Sequence, residues 1–124
     1  MIQSKMNIKY IETDTDKIAV LEGNDYKIKG PQEAAEVLMN CRYSGTNKVI
    51  IFAEQLDAAF FDLKTKIAGE ILQKFSTYDG FLAIVGDYSK YSSKSLQDFI
   101  YESNKFKRIN FVSSQEEAIK ALTR

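Results

Sequence analysis

The sequence contains no histidine, no tryptophan, one cysteine and one proline. Without histidine the chain cannot form a Ser-His-Asp triad, a Cys-His pair or a His-ligated zinc site. A single cysteine allows neither an internal disulfide nor a thiolate metal cluster, which is typical of a reducing compartment. These absences exclude the commonest hydrolytic and metal-dependent sites.

Net charge and long apolar runs are also lacking. Seventeen Lys and Arg residues balance seventeen Asp and Glu residues, so the chain has no basic excess with which to neutralise nucleic-acid phosphates. The longest apolar runs, residues 49–53 and 81–85, are far shorter than the roughly 20 residues of a membrane span. The first six residues lack the apolar core of a signal peptide. We therefore expect a cytoplasmic protein that binds neither nucleic acid nor membrane.

Apolar runs rich in β-branched residues predict five strands. Residues 6–12 and 18–21 are separated by Thr-Asp-Thr-Asp, whose side chains favour a turn, so these two runs are expected to form a β-hairpin. Residues 49–53 and 81–85 show no polar alternation, which is typical of strands buried on both faces. Residues 109–112 are the last predicted strand.

Four amphipathic segments predict helices between and after these strands. The first begins at Pro31, because proline is tolerated at the first helical position. The second, expected to be the longest, starts at Leu63 and follows a separate helical turn at residues 57–61. The third and fourth follow serine-rich caps at residues 92–95 and 113–114.

This order of elements predicts a single α/β domain over residues 1–124. Strands that are joined through helices run parallel, because only a crossover returns the chain to the same end of the sheet. We expect a mixed, mostly parallel five-stranded sheet with an N-terminal β-hairpin and about four helices, which cover both faces incompletely. The sequence does not specify the order of the strands in the sheet.

One candidate site lies where the parallel strands end, the edge of an α/β sheet at which ligands generally bind. Glu54, Asp87 and Ser89 are the ligand-binding candidates there, with Ser113 and Ser114 as neighbours. Two carboxylates suit a hard cation or acid–base chemistry, but acidic residues at strand ends more often bond the following turn. No phosphate-binding or dinucleotide motif is present, and no cofactor or metal is implied.

A second candidate site lies at the start of the second helix. Asp62 and Thr65 flank that start, where an Asp can simply cap a helix. Gly69 follows one turn later, and a glycine inside a helix is unfavourable by about 1 kcal/mol relative to alanine. Something is therefore expected to approach Gly69 closely, and a neighbouring element of the same chain is favoured over a partner chain.

Three other side chains have distinctive settings. Cys41 falls on the apolar stripe of the first helix and is expected to be a buried, unreactive thiol. Tyr88 and Tyr91 fall in a polar loop, where an exposed pair of rings would mark a contact surface.

Four segments of the sequence carry a family resemblance. They are FFDLKT at residues 60–65, AGEILQKF at 68–75, LAIVGD at 82–87 and DFIYESN at 98–104. Together they resemble the bacterial domain of unknown function family 4180, from the first hairpin to the final helix. No activity is established for that family, so the resemblance implies a fold but no reaction.

The order of elements also resembles the STAS domain of sulphate-transporter tails and anti-sigma factor antagonists. That resemblance implies partner switching, in which a Ser or Thr that follows an Asp at the start of the second main helix is phosphorylated. Asp62 matches the Asp, but Leu63 occupies the hydroxyl position. Thr65 is the nearest substitute, and its phosphorylation is a hypothesis for mass spectrometry of the chain from its own host.

These observations favour a non-enzymatic binding or regulatory module over an enzyme, because the sequence offers no complete set of catalytic residues. The module is expected to dock a protein partner, or a second copy of itself, near Asp62, Thr65 and Gly69. The alternative is a small-molecule or anion sensor that uses Glu54, Asp87 and Ser89 at the strand ends.

Overall fold

The computed structural model describes residues 6–123. Most of the N-terminal segment that is expected to lack a signal peptide therefore lies outside the described residues. An N-terminal hairpin of two strands is followed by four α-helices that alternate with three further strands, which confirms the predicted α/β class. They are β1 Asn7–Glu12, β2 Lys17–Glu22, α1 Pro31–Tyr43, β3 Lys48–Phe52, α2 Ile67–Thr77, β4 Phe81–Val85, α3 Lys94–Phe106, β5 Ile109–Val112 and α4 Gln115–Thr123.

The sheet has the order β1-β2-β3-β4-β5, so the strands lie in the order in which the chain makes them. β1 pairs antiparallel with β2, and every other pair is parallel. Since each crossover moves to the next strand in the same direction and crossovers are right-handed, α1, α2 and α3 lie on one face. α4 lies alone on the opposite face, where Ala118 and Leu122 pack on the sheet.

β3 and β4 are buried on both faces, as their unbroken apolar runs predict. Val49 and Ile51 face the layer of three helices, whereas Ile50 faces α4. In β4, Leu82 and Ala83 divide between the faces in the same way. These side chains are at most 2% exposed, so the sheet separates two apolar clusters.

α2 is shorter than the sequence predicts. It begins at Ile67 rather than Leu63, and its 11 residues make it shorter than α1 and α3, with 13 residues each. Two short 3₁₀ turns precede it, Ala58–Phe61 and Leu63–Thr65. The first of these confirms the separate helical turn predicted at residues 57–61.

Local capping explains why the helix starts late. The Asp62 carboxylate accepts a hydrogen bond from the Lys64 amide at 3.2 Å and so caps the second 3₁₀ turn, not α2. Lys66 then has a positive φ of 67°, a left-handed conformation that an α-helix cannot contain. The apolar spacing from Leu63 onward suggested one continuous helix, because periodicity does not report a single residue of this kind.

α3 is fixed to the outer edge of the sheet by Asn104. The β4–β5 ladder uses the carbonyl groups of Arg108 and Val112, so the backbone of Phe111 between them points away from β4. The Asn104 amide oxygen accepts from the Phe111 N–H at 2.7 Å, and its amide nitrogen donates to the Phe111 carbonyl at 3.3 Å. Asn104 therefore takes the place of a sixth strand at this position.

Because α3 packs mainly on β5 at the edge, it stands apart from α2, which packs against α1. The two helices leave a groove between them on the face that carries three helices. Its volume is about 450 Å³. The lining residues are Leu72, Ser76, Phe99, Glu102, Ser103, Phe106, Arg108 and Ile109.

Candidate functional site

Asp62 and Thr65 are both exposed and lie in the capped segment before α2. The Thr65 hydroxyl lies 2.7 Å from the Ala59 carbonyl oxygen and 2.8 Å from the Asp62 carbonyl oxygen. It also accepts a hydrogen bond from the Ile67 amide at 3.3 Å. This hydroxyl therefore links the two 3₁₀ turns to the start of α2, and it has a local structural role whether or not it is modified.

Gly69 is exposed and faces open space. A Cβ placed on it would have no neighbour within 4 Å among the described residues beyond its own helix turn. The expectation that another element of the chain packs closely against Gly69 is therefore wrong. Gly69 is the third residue of α2 and lies in its first turn, so its missing side chain reflects no contact within the chain.

Gly69→Ala is expected to raise the free energy of unfolding by about 0.5–1 kcal/mol, because alanine is the better helix former and the added Cβ meets nothing. Urea denaturation measures the change. Gly80→Ala is the matched control and is expected to destabilise, since its Cβ would lie 2.6 Å from Cδ2 of Leu38. Destabilisation by Gly69→Ala would show that Gly69 is needed for the fold.

Gly69 does not line the groove between α2 and α3 but lies one turn before it on α2. Gly69, Leu72 and Ser76 are three and four residues apart, so they share one face of α2. On the other side of the groove, Phe106 at the end of α3 is 80% exposed. We call the face made by Gly69 and the residues that line the groove the α2–α3 surface.

Tyr88 and Tyr91 are not an exposed contact pair, which corrects the expectation from their polar loop. The Tyr91 ring stacks on Phe61 with centroids 4.8 Å apart, and Tyr88 packs edge-to-face on Phe111 at 5.4 Å. The Tyr88 hydroxyl donates to the Ile84 carbonyl, and burial raises the pKa of this phenol above its ordinary value. Both rings therefore extend the core beneath their loop.

At the carboxyl ends of the strands, Asp87 and Ser89 bond to each other. Oδ1 of Asp87 accepts from the Ser89 hydroxyl at 2.7 Å and from the Ser89 amide at 3.0 Å. These bonds, the hydroxyl first, hold the pKa of the Asp87 carboxyl below its usual value. Acidic residues at strand ends more often stabilise the following turn in this way than bind a ligand.

A shallow concavity of about 560 Å³ lies beside this turn. Asp87 and Ser89 line it, together with Ser113 and Glu117, but Glu54 does not. The Lys27 ammonium instead donates to the Glu54 carbonyl oxygen at 2.8 Å. The structure therefore brings Asp87 and Ser89 together and leaves Glu54 out.

Glu117 is the acid that the sequence-based site missed. Its carboxylate accepts from the Ser113 amide and hydroxyl, both at 2.8 Å, and these bonds lower its pKa. The Ser114 hydroxyl accepts from the Glu117 amide at 3.1 Å, which makes Ser114 the cap of α4. The Ser-Ser and Glu-Glu pairs at the start of α4 carried the signal for this arrangement.

The strand order and the positions of the helices determine how the chain leaves the sheet at this edge. In open α/β sheets ligands bind where the strand order reverses, because neighbouring crossovers then pass to opposite faces. Here β2 to β5 follow one another in a single direction. The chain nevertheless leaves β4 toward α3 on one face and β5 toward α4 on the opposite face, and the concavity beside Asp87 lies between these two connections.

Comparison with known families identifies the chain. A family model described as a domain of unknown function, DUF4180, matches residues 13–122. The chain belongs to the DUF4180 family. The match confirms the family resemblance carried by the four segments and begins just after β1.

Both candidate sites of this DUF4180 domain lie inside the matched residues. No curated protein matches the chain. The family assignment therefore leaves the activity to be argued from the α2–α3 surface and the strand-end turn.

Other features of the DUF4180 chain bear on its chemistry. Cys41 is fully buried as predicted, and burial raises the pKa of its thiol to about 12. Within residues 6–123, no three or more side chains of the metal-binding types are grouped to hold an ion. In the same range, no helix has the length and apolar character that crossing a bilayer requires.

Proposed function

We propose that this protein is a non-enzymatic, cytoplasmic regulatory module with a STAS-like fold, which docks a protein partner on its α2–α3 surface. The observation that carries the proposal is the groove of about 450 Å³, with the exposed ring of Phe106 on its rim and the open backbone of Gly69 beyond it. Asp62 and Thr65 lie exposed before the same helix, and they extend the proposed surface toward the strand ends.

Apolar area supports docking at this surface. Leu72, Phe99 and Phe106 line the groove, and its accessible lining is mainly apolar. Burying an exposed Phe side chain contributes about 1.5–3 kcal/mol, so a partner that covers Phe106 gains directly from the contact. Clusters of apolar side chains with polar residues at their rim are typical of protein contact sites.

The strand-end turn gives weaker support to the alternative of a small-molecule sensor. Its concavity is open, and the carboxylates of Asp87 and Glu117 already accept hydrogen bonds from serine hydroxyls. A ligand that bound the same oxygens, Oδ1 of Asp87 and Oε1 of Glu117, would cost part of these bonds. Docking at the α2–α3 surface requires no such loss.

Photo-crosslinking in the native host tests the docking proposal. A photoreactive amino acid replaces Ser76 on the surface or, as control, Lys120 on the opposite face of the sheet. We expect a discrete crosslinked product from position 76 only. Gly69→Arg should reduce its yield about tenfold or more, because a long charged side chain then projects from the docking surface.

Two results would contradict the proposal. The first is the absence of a crosslinked product at both positions, and the second is equal products from Ser76 and Lys120. Circular dichroism and thermal melting of Gly69→Arg must match the unmodified chain, so that a lost product reports the surface and not the fold.

A further inference from the structure

The α2–α3 surface carries both a protruding ring and a groove, the two parts that a contact between two copies of this surface requires. Phe106 is an exposed ring on the rim, and the groove beside it offers about 450 Å³. A cavity of about 150 Å³ is sufficient to hold benzene. The groove of one molecule therefore has room for the Phe106 ring of another.

The groove is also lined by one acidic and one basic side chain. Glu102 lies on α3, and Arg108 follows the end of that helix. Within residues 6–123, Glu102 takes part in no ion pair, whereas Arg108 pairs with Asp79 at 3.2 Å. In a two-fold contact, residue i of one copy meets j of the other and j meets i, so a contact between Glu102 of one copy and Arg108 of the other would form twice.

Net charge offers no opposition to such a contact. The formal charge of the chain is zero, so two copies approach without the overall repulsion that keeps strongly charged proteins apart. Local attraction between Glu102 and Arg108 then sets the relative orientation of the copies, because complementary charges determine register more than affinity.

We infer that the α2–α3 surface binds a second copy of this chain, in a two-fold dimer where each Phe106 enters the partner's groove and each Glu102 meets the partner's Arg108. This inference rests on the proposed function and identifies the occupant of the proposed surface. We expect a weak contact, with a Kd on the order of 10–100 μM.

Sedimentation velocity of the purified chain from about 5 μM to 1 mM tests the inference. The unmodified chain should pass from monomer to dimer over this range. Phe106→Ser should raise the Kd at least about 30-fold, because two rings lose their burial in each dimer. Tyr43→Ser is the matched control: this ring is 96% exposed at the end of α1, outside the groove, and its loss should leave the Kd unchanged.

A charge-exchange experiment tests the orientation. Glu102→Arg and Arg108→Glu should each weaken the dimer by tenfold or more, since like charges then face each other twice. An equimolar mixture of these two variants should restore association, because every contact again joins an acid to a base. If Arg108→Glu fails to fold, Glu102→Arg and Phe106→Ser remain decisive, as both residues are exposed.

Three outcomes would overturn the inference. The first is a monomer at every concentration. The other two are a dimer whose Kd is unchanged by Phe106→Ser and a dimer whose Kd is unchanged by Glu102→Arg. A chain that is monomeric but still crosslinks a different protein at Ser76 would exclude the second copy and leave the proposed docking function intact. A monomer without any crosslinked product would overturn both.

Discussion

Gln55→Leu will lower the free energy of unfolding by about 2–4 kcal/mol. Gln55 follows β3 and is only 2% exposed. Its amide nitrogen donates to the carbonyls of Leu21 at 2.9 Å and Gly23 at 2.8 Å, and its oxygen accepts from the Phe52 N–H at 2.8 Å. Leucine fills a similar volume but leaves these three backbone groups without their partner.

Urea denaturation followed by circular dichroism measures the Gln55 effect. Glu54→Leu is the matched control, because Glu54 is the exposed neighbour whose carboxylate makes no bond within the described residues; its cost should stay within about 0.5 kcal/mol. Equal losses for both variants would mean that the Gln55 bonds do not hold the ends of β2 and β3 together.

Phe60→Ala will cost about 3–5 kcal/mol, the range for removing a large buried ring. Phe60 is fully buried, and its ring meets Phe61 edge-to-face at 4.9 Å and lies 6.2 Å from Phe111. These three rings fix the first 3₁₀ turn on the sheet, and the Thr65 hydroxyl bonds to the Ala59 carbonyl of that turn. The loss therefore affects the segment that leads into the α2–α3 surface.

Phe60→Leu is the control for volume and should cost clearly less, because it keeps most of the apolar contact. In urea denaturation, the free energy of unfolding should fall with urea concentration at the same slope for both variants. The urea concentration at the unfolding midpoint should be lower for Phe60→Ala. A cost below about 1 kcal/mol for Phe60→Ala would mean that the aromatic cluster relaxes to fill the cavity.

The architecture was predictable because burial leaves a local signature. Unbroken apolar runs such as residues 49–53 have no solvated face, and they appear as central strands covered on both sides. The strand order was not predictable, because parallel pairing depends on contacts between distant segments and not on local pattern. That order decides that three helices share one face.

The sites were less predictable, because a sequence does not show which way a side chain faces. Glu54 was chosen as a site residue for its charge, yet its neighbour Gln55 is the one turned inward to bond three backbone groups. Gly69 suggested a close contact, yet it faces open space. The groove was not predictable from the sequence, because it results from the position of α3. Asn104 fixes that position through a contact seven residues away in sequence.

Asn104 also makes the two edges of the sheet unequal as places where a further strand can be added. Strand addition, the first step of domain swapping and of amyloid-like stacking, needs an edge with free N–H and C=O groups. At β5 an incoming strand must first displace the Asn104 amide from Phe111. The other edge is β1, which lies outside residues 13–122, the part of the chain that the family model matches. Among the described residues, β1 is therefore the edge at which a further strand would displace no such side chain.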